Sequence, residues 1–222
     1  IIGSIVALVF LAVAGNEKRA AAGLTRQNWK SAVLIVLAFV GIYIVRTVVS
    51  VAVQGVSDGS GMQYVKEWAA MFKNPMMWLN IAALPINYFF VFIAFFGEEY
   101  GWRGVIILGV VWGLWHIPDD LFYYTQTSGI QMIFAQQITC ISLGIFFAYA
   151  YMKTQNIWVP VCLHYLNNNL IPIISGTFSA DVLENQTVSW KDLPVALVLN
   201  GLCFGFFLLA DVFKKKEVQE EE

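Results

Sequence analysis

Charge is scarce in this chain: Asp, Glu, Lys and Arg make up 13% of its 222 residues, against 59% hydrophobic and 15% aromatic. Together with a mean hydropathy of +0.66, that balance excludes an ordinary soluble domain. The basic residues are scattered, and the formal net charge is -2, so no electrostatic footprint for nucleic acid exists. There are three cysteines, Cys140, Cys162 and Cys203, all within apolar runs. Thiols so placed are packing residues and say nothing about redox compartment. No Gly-x-Ser-x-Gly elbow and no His-Glu-x-x-His helix occurs, which leaves serine and standard zincin chemistry without support. Histidine is rarest of all, with two in the chain.

What is abundant is apolar sequence in runs of about 20 residues, the length that crosses a bilayer. The pattern predicts an all-α, polytopic helical membrane protein, read as one domain over 1–222 with about seven to eight transmembrane helices. Spans are expected at 1–15, 31–53, 76–104, 105–118, 130–151, 157–175 and 194–213. The opening "IIGSIVALVFLAVAG" has neither a basic n-region nor an initiator Met. It reads as a truncated first span rather than a signal peptide.

Orientation follows from the loops. Lys18, Arg19, Arg26 and Lys30, then Lys153, then Lys214, Lys215 and Lys216 mark three basic connections that face the cytosol under the positive-inside rule. The alternating loops are acidic or near neutral, which puts Glu98 and Glu99 in the cytoplasmic half. In the first of them, "MQYVKEWAAMF" repeats Tyr64, Trp68 and Phe72 at helical spacing. It is either an amphipathic helix on the outer interface or a short connector.

An ionisable group inside a span costs roughly 2.5–3.5 kcal/mol on insertion scales and needs a partner or a wet cavity. Arg46 can snorkel to the outer interface, and Asp211 lies one turn before the tail lysines. That leaves Glu98, Glu99, Arg103, His116 and His164. Glu99 and Arg103 are four apart, so they share a helical face and can pair. Glu98 points about 100° away, a carboxylate with no local partner. His164 and Asn168 are also four apart, two donors on one face able to hold an oxyanion. Asn167 and Asn169 flank that face, to bond one another or line the same pocket. Cys162, two residues from His164, is on a different face, against a Cys-His nucleophile pair. A carboxylate base beside a histidine, with His and Asn donors opposite, holds the parts that activate water against a carbonyl. The chemistry expected is peptide-bond hydrolysis in the membrane.

These residues carry a family resemblance. "EEYGWRG" resembles the EExxxR motif of the CPBP family, the CAAX-protease and bacteriocin-processing group also called Abi. "WGLWH" resembles its second motif, an aromatic residue four before a histidine, with Trp112 where phenylalanine is commoner. "HYLNN" resembles the third, HxxxN, through His164 and Asn168. The three lie in a catalytic core of about 85–175. The resemblance implies an intramembrane glutamate-dependent endopeptidase, its helices surrounding a polar cavity open to the cytosol. It further implies that Glu98 activates water with His116, that His164 and Asn168 stabilise the oxyanion, and that Glu99 and Arg103 orient the site. Neither cofactor nor metal is implied.

One departure is geometric. A single helix from Glu98 to His116 would hold them ~27 Å apart at ~1.5 Å per residue, so the helix must break between them. A turn at Gly104 alone leaves them at unequal depth. We expect a disordered loop of about 10–20 residues, absent from this sequence, between Gly104 and Val105.

Three rivals stay open at this stage. One is a zinc-dependent membrane protease with His116, His164 and Glu98 as ligands and Glu99 as base. Another is a non-enzymatic membrane protein that binds a peptide, as in bacteriocin immunity. The weakest is a transporter or proton relay, for which repeated halves are lacking. The expected partners are membrane lipid and a peptide or membrane-anchored protein substrate, the chain a monomer by default in a bacterial plasma membrane. Small-residue faces such as "GLCFG" are suited to helix association.

Overall fold

The computed structural model describes residues 9, 13, 15, 23–25, 27–59, 61–101, 105–175 and 184–214. Every regular element among them is helical. In chain order these are α1 (Trp29–Asp58), α2 (Gly61–Met71), α3 (Pro75–Gly101), α4 (Val105–Trp115), α5 (Ile117–Phe122), α6 (Gly129–Thr154), α7 (Trp158–Ser175), α8 (Asp192–Cys203), a 3-10 turn (Gly205–Leu209) and α9 (Asp211–Lys214). Most of the expected span 1–15, most of the first basic loop and the terminal lysines after Lys214 lie outside the described residues.

Among the described residues, three helices are long and apolar enough to cross a membrane: Trp29–Val53, Pro75–Glu99 and Gly129–Thr154. Their outward faces are strongly apolar, with Leu34, Leu37, Val45, Phe89 and Phe90 exposed. Exposed leucine and phenylalanine in such numbers fit a lipid solvent, and the chain is an integral membrane protein. The count of spans is lower than expected among the described residues. α4 and α8 have 11 and 12 residues, about 16–18 Å of helix against a hydrocarbon core of about 30 Å.

Two of the short elements have identifiable causes. His116 closes α4 through a tight turn, its amide donating to the Gly113 carbonyl at 3.2 Å, and Pro118 then sits in the first turn of α5. Proline has no N–H to continue the α4 ladder, so the chain restarts rather than running on. The expected span over 194–213 also breaks. Phe204 is fully buried against Phe39, Tyr43 and Phe146, and the chain turns there into the 3-10 segment. The sequence "MQYVKEWAAMF" is helical, in α2, up to Met71, and Trp68 Nε1 donates to the Ile174 carbonyl at the end of α7 at 2.9 Å.

α6 is the axis. It buries Cys140, Leu143, Phe146, Phe147 and Ala150, and α1 lays Ile35, Phe39 and Tyr43, spaced by four, against it. Thr125 Oγ1 accepts the Ser128 amide at 3.2 Å just before α6 begins. At the far end the chain leaves through Gln155 in the left-handed region, φ 52°. α3 packs along α7, with Phe96 stacked on Trp158 at 5.2 Å and Tyr88 edge-on to Tyr165 at 4.9 Å.

The closest approach is between α4 and α6. A Cβ on Gly109 would come within 2.4 Å of Ile141 Cα and 2.7 Å of the Cys140 carbonyl oxygen, whereas one on Gly113 would meet only the Gln137 amide, at 2.6 Å. Gln137 Nε2 seals the contact by donating to the Gly109 carbonyl at 3.1 Å. Glycines four apart that admit a second backbone are the small-xxx-small device of membrane helices. Gly109→Ala is therefore expected to push backbone against backbone and cost about 1–3 kcal/mol. Gly113→Ala, opposed by a flexible side chain, should cost less. Thermal unfolding in detergent of the two variants checks the order, which reversal would disprove.

Candidate functional site

The two glutamates lie within the last turn of α3, which ends at Gly101. Carboxylates at a helix C-terminus oppose the helix dipole, so helix formation does not account for them. Glu99 is 5% exposed. Its Oε1 accepts a hydrogen bond from His164 Nδ1 at 2.9 Å. The other nitrogen of the same ring, Nε2, lies 3.7 Å from Glu98 Oε2, and the Glu98 side chain is 42% exposed. One histidine is thus set between two carboxylates, one buried and one reaching open space.

His164 is 2% exposed and lies within an aromatic enclosure. Trp112, Phe95 and Phe147 approach it with ring centroids at 4.5, 4.9 and 6.0 Å. With Nδ1 committed to Glu99, Nε2 is the ring nitrogen turned toward Glu98.

His116 is placed differently. Its Nδ1–H donates to the Trp112 carbonyl at 2.8 Å, leaving Nε2 as an acceptor. Trp112 contacts both histidines, 4.5 Å from His164 and 6.0 Å from His116 between ring centroids. Among the described residues no hydrogen bond or ion pair joins His116 to either glutamate. Arg103 and the junction at Gly104 lie outside the described residues, as do the expected Glu99–Arg103 pair and the expected loop before Val105.

The asparagines link helices. Asn167 Nδ2 donates to Asn168 Oδ1 at 2.8 Å, and Asn167 Oδ1 accepts from the Tyr43 hydroxyl of α1. Asn169 donates to the Tyr165 carbonyl at 3.0 Å and accepts from Asn87 of α3 at 3.2 Å. Arg46, expected to snorkel, has its guanidinium 5.7 Å from the Tyr43 ring centroid, with Nε buried. Among the described residues, no group of three or more His, Cys, Asp and Glu is arranged to hold a metal ion.

One residue escaped the sequence reading. Asp120, just past the expected span 105–118, is 0% exposed, and neither carboxyl oxygen has a hydrogen-bond partner among the described residues. Burial, reinforced by the neighbouring Asp119 charge, lifts its pKa from 3.8 to about 7. The available signal was its spacing: Asp120 is four after His116, hence on the same helical face.

Residues 104–170 match the family described as Type II CAAX prenyl endopeptidase Rce1-like. The match covers just under a third of the chain and includes His116, His164 and Asn168, while Glu98 and Glu99 precede it. It agrees with the CAAX-protease resemblance of the three motifs, and it makes a protease of CAAX type the kind of protein to which this segment is similar. No curated protein and no solved structure matches the chain.

Breaking the Glu99–His164 bond from the carboxylate side, by Glu99→Ala, leaves a buried ring nitrogen unpaired. The expected loss is about 3–5 kcal/mol, read as a lower unfolding temperature than that of Glu98→Ala, whose carboxylate is half in the open. Equal losses would count against the buried pair. Asp120 makes stability depend on pH. The unfolded chain releases its proton near pH 4 and the folded one near 7, so stability falls as pH rises across that window and levels off above it. Asp120→Asn should flatten the fall, measured as unfolding temperature against pH. An unchanged slope would show that Asp120 does not cause it.

Proposed function

We propose that the chain is an intramembrane endopeptidase that cleaves a peptide bond with a glutamate-activated water. The observation that carries this reading is the paired environment of His164, clamped by buried Glu99 on one nitrogen and faced by half-exposed Glu98 on the other. In this reading Glu98 takes a proton from water as the oxygen attacks the carbonyl carbon. Its position permits that role because a base must meet water, which Glu99 does not.

His164, held by Glu99, donates from Nε2 to the developing oxyanion together with the free amide of Asn168. When the C–N bond breaks, the proton on Glu98 passes to the leaving amine. His116, with Nε2 left as acceptor, shares the proton of the attacking water, and Glu99 with Arg103 orients the site. The substrate is a peptide segment entering from the cytosolic side of a bacterial plasma membrane, as part of a membrane-anchored protein.

The test is a quantitative map of new protein termini in host membranes, wild type against Glu98→Gln at matched expression. Loss of a general base costs on the order of 10²–10⁴-fold in rate, so wild-type termini should vanish in the variant. Identical termini maps from two folded proteins would overturn the enzyme reading and favour peptide binding without cleavage.

A further inference from the structure

We propose that Tyr43 and Asn167 act as positioning residues that set which end of the Asn168 carboxamide faces the oxyanion. This rests on the reading of Asn168 as an oxyanion donor and adds to it a mechanism of orientation on another helix. A carboxamide has two ends of nearly the same shape and opposite function. Only the NH₂ end stabilises negative charge, so an asparagine in that role needs its oxygen engaged elsewhere.

The hydrogen bonds supply a direction. The Tyr43 hydroxyl donates to Asn167 Oδ1, which leaves the Asn167 NH₂ at the other end. That NH₂ donates to Asn168 Oδ1 at 2.8 Å. Asn168 Oδ1 is thereby occupied, and its own NH₂ is turned away toward open space. Asn168 is exposed and one turn from His164, hence on the His164 side of α7.

The start of the relay is rigid. Tyr43 is 3% exposed and packs at 5.0 Å from both Phe39 and Phe204, with the Arg46 guanidinium 5.7 Å from its ring centroid. A phenol anchored in that aromatic cluster cannot swing to another partner without repacking α1 against Phe204. With both asparagines reversed, the Asn167 NH₂ would donate to the Tyr43 hydroxyl and the Asn168 NH₂ would be spent on Asn167 Oδ1; the hydroxyl, a better donor than acceptor, favours the arrangement observed.

The experiment measures kcat and KM on a substrate identified from the termini map, with each variant's unfolding temperature as the control for folding. Tyr43→Phe keeps the ring and removes the hydroxyl; kcat should fall about 3- to 10-fold, the range of one ordinary hydrogen bond, with KM unchanged. Asn167→Asp keeps the acceptor for Tyr43 but has no proton to give Asn168. Its carboxylate recruits the Asn168 NH₂ instead, and kcat should fall to the level of Asn168→Ala, about 10²-fold below wild type.

In the Asn168→Ala background, Tyr43→Phe should cause no further loss, because the relay then has nothing to orient. Full activity of Tyr43→Phe and Asn167→Asp beside an impaired Asn168→Ala would overturn the relay alone. So would a Tyr43→Phe loss that multiplies with Asn168→Ala or appears only in KM. Wild-type turnover by Asn168→Ala would instead remove Asn168 as a donor, and the relay with it.

Discussion

The bond between Glu99 and His164 is the constraint around which the polar interior is arranged. A carboxylate 5% exposed at the end of a membrane helix has no water to return to and an unfavourable helix dipole beside it. Its buried partner, at 2.9 Å, is a histidine 65 positions along the chain. Whatever brings α3 to α7 must satisfy that pair first, because separating the two helices would strand a charge or a ring nitrogen in an apolar medium. The aromatic contacts of α3 with α7, Phe96 on Trp158 and Phe95 on Tyr165, hold the helices at the spacing the bond requires.

A second constraint works from the other side of His164. The Trp112 ring reaches the imidazole at 4.5 Å, and Trp112 stands between Gly109, where a Cβ would meet the α6 backbone, and Gly113, where it would meet the Gln137 side chain of α6. The glycines are therefore more than packing. They admit α4 deeply enough for its tryptophan to wall the histidine and for His116, one turn later, to take its tautomer from the Trp112 carbonyl. Packing and site geometry here are one arrangement.

Much of this was legible from residue types alone. Adjacent carboxylates in a greasy run, two membrane histidines and an asparagine one turn from the second are visible without coordinates, because membrane burial makes such residues expensive. Their pairing was not legible. Spacing on a helical wheel relates only neighbours three or four apart, so it offered Arg103 to Glu99 and could not see His164 from another helix. Hydropathy windows likewise predicted a continuous segment over 194–213, where a buried phenylalanine turns the chain, and a loop at Asp120, which the fold buries. The signal of Gly109 and Gly113 was present as a four-residue repeat, but only the facing backbone of Ile141 gives it meaning.

The contrast between Glu98 and Glu99 follows from helix geometry. Successive residues differ by about 100° around the axis, and α7 covers only one side of α3 at this level. Glu99 faces that side and is sealed; Glu98 faces its margin, with 42% of its side chain open and Oε2 still 3.7 Å from the same imidazole. Two identical side chains thus acquire opposite assets: one a fixed geometry without water, the other access to water beside a group that can share its proton. Interchanging them would require turning α3 by about 100°, which would withdraw Phe95 and Phe96 from their contacts on α7. The packing of aromatic residues one turn upstream therefore determines which of the two glutamates can meet water.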